Sequence, residues 1–94
     1  MTDAEILEKI KTGLGITTDF QDDLLQIYID DVKAFMQDAG VPANVVTSAA
    51  AVGCILRGVA DLWTYSSGGA KFSEYFKQRV TQLAIQTTGG GANV

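Results

Sequence analysis

Apolar residues recur at helical spacing in four stretches of the chain, and the punctuation around them marks where each helix begins and ends. Ile6, Leu7, Ile10 and Leu14 fall on one side of a helix. Thr2 and Glu5 precede them at the spacing of a capping box, in which hydroxyl and carboxylate each satisfy an orphan amide of the first turn. Gly13 and Gly15 supply the stop. A longer stripe follows: Phe20, Leu24, Ile27, Tyr28, Val32, Phe35, Met36 and Ala39. Thr18 with Gln21 predicts a second capping box there. Asp19, Asp22 and Asp23 complement the N-terminal dipole, and Gly40 with Pro42 ends the helix. Leu25 and Ile29 lie beside this stripe and widen the apolar face, which calls for two packing partners. The second partner is either another helix of the same chain or a neighbouring subunit.

A third helix is predicted from Thr47 or Ser48 to about Tyr65, with Ala49, Val52, Leu56, Val59, Ala60 and Trp63 in one stripe. Its small neighbours are Ala50, Gly53, Cys54 and Gly58. Glycine inside a helix costs ~1 kcal/mol relative to alanine, so two of them imply close helix–helix approach and a central position. Ser66 to Gly69 reads as a flexible connector. A fourth helix is expected over Lys71–Gln86, carrying Phe72, Tyr75, Phe76, Val80, Leu83 and Ala84 on one face. No stretch alternates β-branched with polar residues. The expected fold is therefore all-α, a compact bundle of about four helices over residues 1–86, followed by a flexible Gly-rich C-terminal tail at 87–94.

Composition narrows the function. The chain has 94 residues, enough for one domain, and 47% of them are hydrophobic against 19% charged. A domain this small has a thin stability margin, which makes self-association plausible. The net charge of −4 is unevenly placed. Residues 1–48 hold nine acids against three lysines, a net of −6, and residues 49–94 hold two acids against four cations, a net of +2. So few, scattered cations make a poor nucleic-acid footprint. The acidic start, Met1 to Glu5, is not that of a signal peptide. Residues 39–56 are uncharged, but Gly40, Pro42, Asn44, Thr47 and Ser48 interrupt them. The stretch reads as a buried helix, and no membrane contact is expected.

Candidate chemistry is sparse. The chain has no histidine, which removes Ser-His-Asp, Cys-His and His-ligated metal sites. Its single cysteine, Cys54, excludes an intrachain disulfide and reads as an inert buried thiol. Asp19, Asp22 and Asp23 lack the glycine and distal glutamate of a calcium loop. Asp30 and Asp31 are adjacent, so they point about 100° apart on a helix and cannot chelate together. The glycines match neither GxGxxG nor a P-loop. Trp63, Tyr65, Phe72, Tyr75 and Phe76 gather around the connector, as helix–helix core or as an interface. No catalytic constellation, metal site or cofactor is expected.

The residues from Val59-Ala60-Asp61-Leu62-Trp63-Thr64-Tyr65 through Gly69, and from Lys71-Phe72-Ser73-Glu74-Tyr75-Phe76 to Leu83-Ala84, resemble the helical head–tail connector proteins of tailed bacteriophages. These are also described as head-completion or DNA-packaging proteins. The order of helices before them is similar too, including the acidic start near Phe20-Gln21-Asp22-Asp23-Leu24-Leu25. The resemblance spans about residues 3–86. It implies a structural, non-enzymatic part of the virion neck, assembled in the host cytoplasm. Such a part forms a ring, commonly of twelve subunits, under the portal at the head–tail junction. The ring continues the DNA channel and meets the next neck or tail protein, with DNA only passing through.

A ring needs two different faces of one subunit to meet, and the charge split suggests which. Asp22, Asp23, Leu25, Ile29, Asp30 and Asp31, with Asp38, are candidates for one side of a subunit contact. Arg57, Lys71, Lys77 and Arg79 are candidates for the other. The bland alternative is that these charges pair within one subunit or face water. The tail at 87–94 is a further candidate for ordering on a partner. Outside the resemblance, a small helical bacterial adaptor or regulatory module binding one protein partner fits the same helices. Helix-turn-helix DNA binding through 71–86 conflicts with the aromatic face that a core must bury.

Overall fold

In the computed structural model, which describes residues 1–64 and 72–87, five helices follow one another. They are α1 (Asp3–Leu14), α2 (Asp22–Asp38), the single turn α3 (Ala43–Val46), α4 (Val52–Thr64) and α5 (Glu74–Thr87). A 3₁₀ turn, Ala49–Ala51, leads into α4. No strand occurs among the described residues. The all-α expectation is met; the Ser66–Gly69 connector, Tyr65, Lys71 and the tail from residue 88 lie outside the described residues.

Local chemistry accounts for the helix ends. At α1 the capping box forms as expected: Glu5 N donates to Thr2 Oγ1 at 3.1 Å, and Thr2 N donates to Glu5 Oε1 at 2.8 Å. Gly15, with φ of +74°, closes the other end: Ile16 N reaches back to Lys11 O at 2.9 Å. Gly40, with φ of +104°, ends α2 the same way, Val41 N donating to Met36 O at 3.0 Å. The second expected capping box does not form. Helix α2 starts at Asp22, behind Gln21 rather than Thr18, and Gln21 makes no side-chain cap. The extra space is taken by a turn in which Asp22 N bonds Asp19 O at 3.3 Å.

The buried stripe of α2 is rotated from the expected one. Leu25, Ile29, Val32 and Met36 are buried, while Phe20 is 91% and Ile27 56% exposed. Leu25 and Ile29 thus belong to the core of their own chain and are withdrawn as subunit-contact residues. They pack against α4, whose inward side is Ile55, Gly58 and Val59; of the expected stripe Val59 is buried, Val52, Leu56, Ala60 and Trp63 are half-buried, and Ala49 is exposed. Helix α4 is central as expected, touching α1, α2 and α5. Ile6 and Ile10 from α1 and Phe76, Val80 and Ala84 from α5 complete the core. Full burial of a side chain such as Phe76 or Ile10 is worth about 2–3 kcal/mol each.

The expected fourth helix begins three residues late, because Ser73 caps it. Ser73 Oγ accepts from Phe76 N at 3.1 Å, and Ser73 itself is held by Asp61 of α4. Ahead of the cap, Phe72 stacks with Phe76 and Phe35, with ring centroids 4.6 and 4.8 Å away. Tyr28 and Trp63 meet edge to face at 6.3 Å. Phe72, Phe76 and Trp63 therefore join α2, α4 and α5 from within, whereas Tyr75 is 56% exposed. No helix among the described residues is long and apolar enough to cross a membrane.

Candidate functional site

Among the described residues no group of histidine, cysteine or carboxylate side chains is gathered as a metal ion would require. The lone thiol, Cys54, is half-buried on α4. Burial pushes its pKa up, against a smaller downward pull from Arg79, so the neutral thiol is favoured. What the chain offers is surface.

One acid group is spoken for inside the subunit. Lys11 is buried, and its ammonium lies 2.8 Å from Asp19 Oδ1 and 2.9 Å from Asp22 Oδ1. Asp22 Oδ1 is itself cut off from water, so Lys11 is its counter-charge. The ammonium donates to the Asp19 carboxylate and faces that of Asp22, which raises the Lys11 pKa far above its ordinary value, and the same contact lowers that of Asp19. Asp22 is thereby paired within its own chain. Lys11 had no place in the sequence reading. Its signal was a lysine on the apolar side of α1, one position from Ile10.

The remaining candidate acids of α2, Asp23, Asp30, Asp31 and Asp38, are exposed and make no ion pair among the described residues. Asp30 accepts only a hydrogen bond from Gln26 at 3.0 Å. Phe20, Leu24 and Ile27 rise between them, an apolar ridge with an acidic margin. All three belong to the apolar stripe expected from the sequence, and all three are exposed.

Two arginines lie on the side of α4 turned away from α2. Since α2 turns its buried stripe toward α4, the outward sides of α2 and α4 point in opposite directions. Arg57 is exposed on the outward side of α4, its guanidinium 5.2 Å from the centre of the Tyr75 ring. Arg79 is exposed on α5 and donates to Gln82 at 3.2 Å. Lys77 bridges Glu74 at 3.3 Å on its own helix. Arg57 and Arg79 both border hollows that meet at Gly53. The free acids of α2 and the arginines Arg57 and Arg79 thus stand on opposed faces of the α2–α4 contact.

The family model for phage gp6-like head-tail connector proteins matches residues 4–90. The chain belongs to that family. No curated protein and no solved structure matches it. The match runs through all five helices of this connector. A head–tail connector is a structural part of a phage particle, placed where head meets tail.

Proposed function

We propose that this connector assembles as a ring beneath the portal, continues the DNA channel, and presents a platform to the next neck or tail protein. Membership of the head–tail connector family carries the proposal. The two opposed faces of opposite charge support it, because a closed ring requires one face of each subunit to fit a different face of the next. Exposed ion pairs contribute only ~0–1 kcal/mol each. The charges therefore set register, and apolar side chains supply the affinity.

The net charge of −4 suits a channel as well. A wall that carries the same sign as DNA lets the duplex pass without gripping it. The partners are further copies of the chain, the portal and the adjoining neck or tail protein, met in the host cytoplasm during assembly. The tail at 87–94 is proposed to engage one of them.

Negative-stain microscopy and native mass spectrometry of the protein, alone and mixed with its portal, test this. Closed rings with a central hole are expected in at least one of the two samples. Monomers in both would overturn the ring.

A further inference from the structure

We infer that neighbouring connector subunits join by seating the Phe20–Leu24–Ile27 ridge of one copy in the groove around Gly53 of the next. The inference rests on the ring reading and names the surfaces that make it.

The ridge needs a cover. Ile27 is 56% and Leu24 38% exposed on the side of α2 away from its buried stripe, and Phe20, in the turn just ahead of α2, is 91% exposed. Contiguous exposed apolar groups with a polar margin mark binding surfaces. The margin is acidic: Asp23, Asp30 and Asp31.

The groove has the complementary character. Gly53 is exposed on α4 and lines two adjoining hollows, one of about 230 Å³ bordered by Arg57 and one of about 120 Å³ bordered by Arg79. A β-carbon added at Gly53 would meet nothing within 4 Å, whereas at Gly13 and Gly58 it would collide with Leu56 and Phe76. Packing inside the subunit explains those two glycines and leaves Gly53, whose helical cost of ~1 kcal/mol has no return within the chain. An aromatic side chain arriving from outside supplies one, since only glycine leaves it room against the helix backbone.

The occupant is a second copy of this chain, because the ridge and the groove match in charge and lie on opposite faces. Acidic margin meets arginine border. A contact between opposite faces leaves one ridge and one groove free at the ends, so it repeats from copy to copy and closes only as a ring.

Sedimentation velocity of the wild-type protein, of Phe20→Asp, of Gly53→Gln and of their equimolar mixture decides the matter. Both variants should fold, which circular dichroism verifies: Phe20 is exposed, and glutamine is a better helix former placed in open space. Ile27→Asp is the second ridge variant. The wild type should assemble, and each variant alone should associate about thirtyfold more weakly or worse, the scale of a lost aromatic anchor. The mixture should form one-to-one dimers, because it retains one intact ridge and one intact groove. Variants that assemble like the wild type, or a mixture that stays monomeric, overturn this interface and leave the ring standing. A wild type that stays monomeric with and without its portal overturns both.

Discussion

The ring of Phe76 fills the space that a side chain on Gly58 would need. A β-carbon at position 58 would stand 2.7 Å from Phe76 Cε1 and 2.9 Å from Val32 Cγ1, closer than atoms approach in a packed core. One missing methyl group lets α2, α4 and α5 close around a single point.

Gly58→Ala should therefore destabilise the domain by about 1–2 kcal/mol. Overpacking costs ~1–3 kcal/mol, and the gain in helix propensity returns up to ~1 kcal/mol of it. Gly53→Ala, on the open side of the same helix, should stabilise by about 0.5–1 kcal/mol. Urea melts of the two variants measure this contrast, and shifts of the same sign would contradict it.

Lys11→Met should lower the thermal midpoint, because Asp22 Oδ1 then sits out of water without its counter-charge. The pair also shapes the pH profile. Lys11 holds its proton more tightly folded than unfolded, so its contribution is full below the unfolded value of ~10.4 and fades as pH rises further. Asp19 is more acidic folded, so its contribution is full above ~3.9 and fades as pH falls. Stability should be flat through neutral pH and fall on both flanks. Lys11→Met should remove the alkaline fall and soften the acid one. Glu5, held acidic by the amide and hydroxyl of Thr2, keeps part of the acid limb.

Ser73→Ala should cost about 1 kcal/mol, the usual value of an N-cap. Asp61→Ala should cost as much or more, since Asp61 Oδ2 accepts from Ser73 N at 3.1 Å and from Ser73 Oγ at 2.9 Å. Asp61→Asn keeps an acceptor and should cost less. The loss should appear first at α5, as faster amide exchange over Glu74–Val80 while α1 stays protected.

Cys54 reports on assembly. Its raised pKa predicts slow alkylation at neutral pH compared with a small free thiol. It lines the Arg79-bordered hollow beside Gly53, so assembly through that groove should slow the reaction further. Equal rates for assembled and dissociated protein would place the contact elsewhere.

What the sequence revealed and concealed follows from the range of each interaction. The α1 capping box, Gly15 and Gly40 act within a few residues, and Thr2, Glu5 and the glycines announced them. The rotation of α2 was concealed. Leu24, Leu25, Ile27, Tyr28 and Ile29 place apolar groups around most of the helix, so two stripes have acceptable spacing. Only the arrival of α4 decides between them. On α4 the same ambiguity hid Ile55, and Phe20 is exposed because α2 starts only at Asp22. The single turn α3 is too short to show a period. Ser73 has the chemistry of a cap, but the aromatic run around it carries the helical period back past it. Lys11 with Asp22 spans a chain reversal that no local pattern records. The charge split, by contrast, was plain in the residue counts, and the fold sets the free acids of α2 on the face opposed to Arg57 and Arg79.

Whether this connector joins a phage head to its tail is tested most directly by deleting its gene from the phage that encodes it. Electron microscopy of the lysate should show heads and free tails that do not join, with joined particles restored when the wild-type protein is supplied. Normal joined virions in the absence of the protein would contradict the claim.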